Sequence, residues 1–189
     1  VSRIAVIVYE AYARDSRVRR HARALVAAGH RVEVLAIDDA RSAEAATSDG
    51  VRLMPLGRHK YRGASQRAYL TAYLAFTLRA AWHITRRVLR REVDLVYVNN
   101  PPDFLVFAAA AARVRRVPVV LDVHDMTSDL YRAKFRAGAT SARIVAAIER
   151  ASFRFADAVF TIHDLYADQI RAVARSGTPV VGVWNVPDG

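Results

Sequence analysis

The chain has 189 residues, 53% of them hydrophobic and 25% charged, a balance that supports one substantial core and excludes a disordered or low-complexity protein. Lysine and arginine total 29 against 18 aspartates and glutamates, a net charge of +11 that attracts phosphate, whether of nucleic acid, lipid headgroup or nucleotide. With no cysteine, disulfides, thiolate metal sites and a cysteine nucleophile are excluded, and a reducing, cytoplasmic setting is expected.

In chain order, the β-branched run from Arg3 to Val8 predicts a strand. Val18, Ala22, Leu25 and Val26 recur at helical spacing until Gly29. Strands are expected over Arg31–Ile37 and Val51–Leu56, joined by a polar surface loop rich in Ala, Ser and Asp. One long helix follows from about Ser65 to Arg91, with Tyr69, Tyr73, Phe76, Ala80, His83 and Val88 on one side. Arg86, Arg87, Arg90 and Arg91 complement its negative end. Asp94–Val98 reads as a strand, Phe104–Val114 as an alanine-rich helix, and Pro118–Val123 as a strand apolar on both faces, hence buried between helix layers. Helical fragments near Asp129–Phe135, a helix over Ser141–Phe155, a strand over Ala158–Ile162, a helix after Asp164 and a strand over Val180–Val183 complete the series. This alternation predicts an α/β, Rossmann-like, doubly wound parallel sheet with helices on both faces. The longest uncharged apolar run, Ala68–Leu78, is too short to span a bilayer, which takes about 20 residues. The start does not resemble a signal peptide, and Val1 in place of methionine points to processing or trimming.

In such a sheet, ligands bind beyond the carboxyl ends of the strands, which directs attention to the loops after Val8, Val98 and Val123. The first loop, Tyr9 to Arg17, lacks the glycines of a dinucleotide fingerprint, and no Walker sequence is present. Asp15 or Ser16 can cap the first helix. Arg17 is less easily assigned, because a cation at a helix N-terminus opposes the dipole unless an anion lies nearby. Asp122-Val123-His124-Asp125 ends the most buried strand, which makes His124 the first candidate; the alternative is a hydrogen-bonded structural histidine. A metal site of Asp122, His124 and Asp125 is disfavoured, since three adjacent residues of a strand cannot all face one ion. Asn99-Asn100-Pro101-Pro102 reads either as a proline-stiffened turn or as a pair of amides for sugar hydroxyls. His163-Asp164 reads as a helix cap.

Taken together, these segments resemble the N-terminal domain of family 4 glycosyltransferases of the GT-B fold. Asp15-Ser16-Arg17-Val18, followed by Ala24 to Val34, is similar to that family's first helix and second strand. Asp94 to Asp103 resembles its acceptor-side strand and loop. The most specific piece is Pro118 to Asp125 continuing to Asp129-Leu130-Tyr131, with Ala156 to Ile162 and the linker-like Trp184-Asn185-Val186-Pro187-Asp188 in the expected order. The resemblance implies that residues 1–184 form the acceptor-side half, that 185–189 begin an interdomain linker, and that a C-terminal donor domain lies beyond the chain. It further implies transfer with retention of configuration, with a nucleotide sugar as co-substrate, a glycan or lipid-linked acceptor, and no cofactor or metal. By position, His124 would lie near the transferred sugar, Arg17 and Ser16 would face the diphosphate, and Asn99, Asn100 and Asp125 would meet the acceptor. Two departures stand out: Tyr9 to Arg17 replaces the glycine pair many members carry, and His163 stands where serine is common.

Other readings keep part of this. A sugar-nucleotide 2-epimerase half shares the architecture. A basic nucleic-acid or anion-binding module would use the charge, but basic-aromatic interleaving and a recognised binding motif are missing, so nucleic acid is not the expected partner. The arginine-ended helix could lie on an anionic membrane, which would make the protein peripheral at the inner face. Equally, its apolar side could pack on the sheet while the arginines are merely solvated.

Overall fold

A computed structural model describes residues 1–57, 60, 61, 63, 65–134, 139–162 and 164–183. His163 and residues 184–189, expected as part of a helix cap and as the linker, lie outside the described residues. Seven strands form one fully parallel sheet in the order β3-β2-β1-β4-β5-β6-β7. They are β1 (Arg3–Ala11), β2 (Arg31–Ile37), β3 (Arg52–Gly57), β4 (Leu95–Asn99), β5 (Val119–Val123), β6 (Ala158–Thr161) and β7 (Val180–Gly182). The strand order reverses between β1 and β4, so the loops after these strands flank the crevice where doubly wound sheets take ligands.

Helices cover both faces. On one lie α1 (Ser16–Ala27) and α2 (Ser42–Ser48), packed on Val6, Val34 and Ala36 through Val18, Ala22 and Ala46. On the other lie α3 (Gln66–Leu89), a 3-10 segment (Asp103–Ala109) running into α4 (Ala110–Val114), α6 (Ala139–Phe155) and α7 (Asp164–Arg171). Helix α5 (Thr127–Lys134) follows β5. Every β5 residue from Val119 to Val123 is buried, as expected of a central strand between helix layers.

The structure departs from the sequence reading at three places. The supposed loop between β2 and β3 contains α2, nucleated by Asp39, whose Oδ1 accepts from the Ser42 amide (2.8 Å) and hydroxyl (2.6 Å). The alanine-rich helix begins as seven residues of 3-10 helix before turning α-helical. β1 runs on to Ala11, with its pairing to β2 shifted between Ile7 and Ala11.

Helix ends follow capping rules. Asp15 caps α1, accepting from the Val18 amide at 3.0 Å. At its other end Gly29 (φ 83°) closes the helix, with Gly29 N–H donating to Val26 O and His30 N–H to Leu25 O. α3 starts at Ser65 and ends with Arg91 in the left-handed region (φ 56°).

Candidate functional site

Because side chains alternate along a strand, Tyr97 and Asn99 of β4 and Asp122 of β5 point to the α1 face, with Asn99 in register beside Asp122. Helix α1 starts above them and presents Arg17 and His21, one turn apart, toward the sheet. Five groups therefore converge on the fully buried Asp122. Its Oδ1 pairs with the Arg17 guanidinium. Its Oδ2 accepts from the Tyr97 hydroxyl at 3.0 Å and lies 3.4 Å from His21 Nδ1 and 3.5 Å from His124 Nε2. The fifth contact is backbone: Asn100 N–H donates to Asp122 O at 3.0 Å.

Burial alone would raise the Asp122 pKa, but hydrogen bonds from His124 and His21 and the charge of Arg17 outweigh it and hold the carboxylate below its ordinary range. Burial, with the Asp122 charge beside it, pushes the Tyr97 phenol up, so it remains a donor. The anion that Arg17 requires at the head of α1 is, in this structure, Asp122. Its side chain is 8% exposed, so it lies beneath the crevice rather than in it. Ser16, the first residue of α1, is exposed at the rim.

His124 emerges from β5 with its side chain 18% exposed. Its backbone N–H donates to Asn100 Oδ1 at 2.6 Å, and its Nε2 lies 3.3 Å from Asn99 Oδ1. Asn99 and Asn100 are both buried. The Asn99 amide donates to Ile7 O (3.2 Å), and the Asn100 amide donates to Asp103 Oδ1 (2.9 Å) and Asp125 O (2.7 Å). These amides thus stitch the ends of β1, β4 and β5 together and fix the His124 ring. Asp125 is exposed. Among the described residues, no three histidine or acidic side chains are grouped to hold a metal ion.

A supporting layer lies behind the loops. Asp103 is buried, and burial raises its carboxyl to about 6 against the opposing hydrogen bond from Asn100. Glu149 of α6 accepts from the Ser128 amide and hydroxyl, both at 2.9 Å, anchoring the head of α5 just past His124. On the far side, Asp49 accepts from the Tyr12 hydroxyl (2.9 Å) and from Arg19 Nε (2.8 Å), fastening the loop after β1 to the end of α2. Arg17, His124 and the asparagines, the candidates read from sequence, are brought together here around Asp122, whose central place, with His21 and Tyr97, the sequence reading did not single out. The available signal was the one-turn spacing of Arg17 and His21 on a helix that otherwise buries Val18 and Ala22.

The chain matches the family described as glycosyl transferase 4-like domain over residues 15–185. No curated protein matches it in sequence. Among solved structures, UGT2 of Phytolacca americana, complexed with UDP-2fluoro-glucose and pterostilbene, superposes on 100% of the chain and 55% of its own length, with a TM-score of 0.67 at 9% identity. HepE of Anabaena, in complex with UDP and glucose, gives a TM-score of 0.60 at 14% identity, over 100% of the chain and 45% of its own length. MurG of Acinetobacter baumannii gives a TM-score of 0.53 at 15% identity, over 97% of the chain and 45% of its own length. At such identities the likeness is one of fold, and the chain spans about half the length of these proteins.

Proposed function

Because the chain belongs to the glycosyl transferase 4-like family, we propose that it is the acceptor-side half of a two-domain, retaining glycosyltransferase of the GT-B fold. Its partner half, a C-terminal donor domain, holds most of a nucleotide sugar, and the sugar passes to a glycan or lipid-linked acceptor in the cleft between the halves. Neighbours of the same fold hold UDP or a UDP-sugar, which supports a nucleotide-sugar donor. The reading requires neither a cofactor nor a metal.

The observation that carries it is the His124 ring, held at the mouth of the switch-point crevice by Asp122 and Asn99. An imidazole that directs its Nε2 proton inward to these two acceptors keeps Nδ1 as an acceptor for a hydroxyl of the sugar in transit. Such an orientation is set before substrate arrives, so its reorganisation cost does not fall on the reaction. Ser16 and the first amides of α1 face the diphosphate, where the helix N-terminus favours negative charge. Arg17 contributes from below, as the buried half of an ion pair that keeps α1 seated on β5. Asn99 and Asn100 act as positioning residues, and Asp125, exposed beside them, meets the acceptor.

The test is a transfer and hydrolysis screen over nucleotide sugars, with glycan and lipid extracts as acceptors, using the full-length protein beside this chain. Turnover by the long form alone is expected, and His124→Ala in that form should abolish most of it while leaving the fold intact. No donor binding and no turnover in either form would overturn the proposal. Normal turnover by His124→Ala would remove His124 from the site.

A further inference from the structure

Helix α3 has two apolar sides, and the sheet uses only one. Tyr73, Phe76, Ala80, Ile84 and Val88 are buried on the sheet, each 4% exposed or less. A second row of large apolar side chains faces solvent: Leu70 (51% exposed), Leu74 (45%), Leu78 (70%) and Trp82 (62%), at successive intervals of four residues, then Leu89 (60%). At 1.5 Å per residue this row is about 28 Å long. By contrast, α1 exposes no large apolar side chain at all.

The exposed charged side chains along this helix all carry positive charge. Arg67, Arg79, Arg86 and Arg90 are exposed on the same helix, and no aspartate or glutamate occurs anywhere from Gln66 to Leu89. Arg86 stacks its guanidinium on Trp82, 4.4 Å from the ring centroid. Beside the row, Leu78 and Trp82 border a hollow whose other wall is Met54 and Leu56 of the edge strand β3. No helix among the described residues is long and apolar enough to cross a membrane.

We infer that the exposed face of α3 docks on the surface of an anionic lipid bilayer, with Leu70, Leu74, Leu78, Trp82 and Leu89 entering the headgroup–acyl boundary and the arginines lying among the phosphates. A leucine–tryptophan row rimmed by cations is the composition of helices that lie in the plane of a membrane interface. The uniform positive sign selects anionic lipid over a neutral or basic protein partner. The docking face is independent of the transfer chemistry, so either can fail alone.

The test uses the chain in which Trp184→Phe leaves Trp82 as the single tryptophan reporter. Co-sedimentation with vesicles of phosphatidylcholine and phosphatidylglycerol is expected at low salt, and it should weaken with added salt and when phosphatidylglycerol is omitted. Brominated acyl chains should quench Trp82 on binding. Leu74→Glu with Leu78→Glu should reduce partitioning by more than about tenfold, whereas Ile144→Glu on α6 should not. No sedimentation, unquenched Trp82, or equal binding by the double variant would each overturn the inference. So would a dimer in sedimentation analysis that the double variant dissolves, which would make the row a contact between two copies. Binding by the chain but not by the full-length protein would show the row covered by the rest of that protein, with the same consequence.

Discussion

Asp122 Oδ2 lies 3.5 Å from His124 Nε2, while Oδ1 of the same carboxylate is paired with Arg17. One fully buried side chain thus serves both the seating of α1 and the orientation of the ring at the crevice. Truncating it should have two separable effects. Asp122→Ala leaves the Arg17 guanidinium buried without a counter-charge and should lose about 3–5 kcal/mol of stability, read from urea unfolding. The paired replacement Arg17→Met with Asp122→Leu removes both charges and should recover most of that loss. It should not recover transfer in the full-length protein, because His124 then lacks its partner. A cost below about 1 kcal/mol for Asp122→Ala would reduce the pair to the level of a surface contact. Because the Asp122 pKa is depressed in the fold, its contribution is present above the ordinary carboxylate range and is lost as pH falls below it.

Asp103 titrates with the opposite sign. Its carboxyl is raised to about 6 by burial, so the fold favours its protonated form. The contribution of such a group is full below about pH 4 and disappears as pH rises through about 6. Asp103→Asn keeps an oxygen to accept from the Asn100 amide while removing the charge. The variant should match the parent near pH 4 and exceed it by roughly 2–3 kcal/mol at pH 7. Denaturation midpoints across that range provide the check. Parallel pH profiles for the two proteins would mean that Asp103 ionises in the fold as freely as in the unfolded chain.

Much of the fold was legible because its signals are local. β2 falls at Arg31–Ile37 as read, since its apolar run is bounded by Gly29 before and Asp38-Asp39 after. The helix α2 was hidden, because its Ala, Ser and Thr residues carry no apolar period and its first residue, Ser42, is held by the Asp39 carboxylate in the loop before it. At the site, strand-end residues such as His124 and Asn99 could be found by position. Tyr97 and His21 could not: they stand 76 residues apart, inside regular elements, and meet only once α1 crosses β4. The exposed row on α3 was also missed, because its leucines fit the same helical period as the buried face and only packing reveals which row the sheet takes.

The ends of α1, α3 and α4 offer a prediction that depends on backbone alone. All three helices close with a residue in the left-handed region: Gly29 (φ 83°), Arg91 (φ 56°) and Arg116 (φ 58°). In each, the next amide reaches back to the last turn: His30 to Leu25, Glu92 to Arg87 and Val117 to Ala112. Only the first uses the residue that adopts this conformation without a steric penalty. A Cβ at Gly29 would meet nothing within 4 Å, so Gly29→Ala should cost only the conformational strain, about 1 kcal/mol. Conversely, Arg116→Gly should stabilise the fold by up to about 1 kcal/mol, the relief at the left-handed position exceeding the extra chain entropy of glycine. The same change at Arg91 should behave alike. Thermal unfolding of the three variants tests this together. If Arg116→Gly is destabilising, the arginine side chain contributes more to that corner than its backbone costs, and the basic hollow shared by Arg3, Arg91, Arg115 and Arg116 becomes the place to look for the interaction.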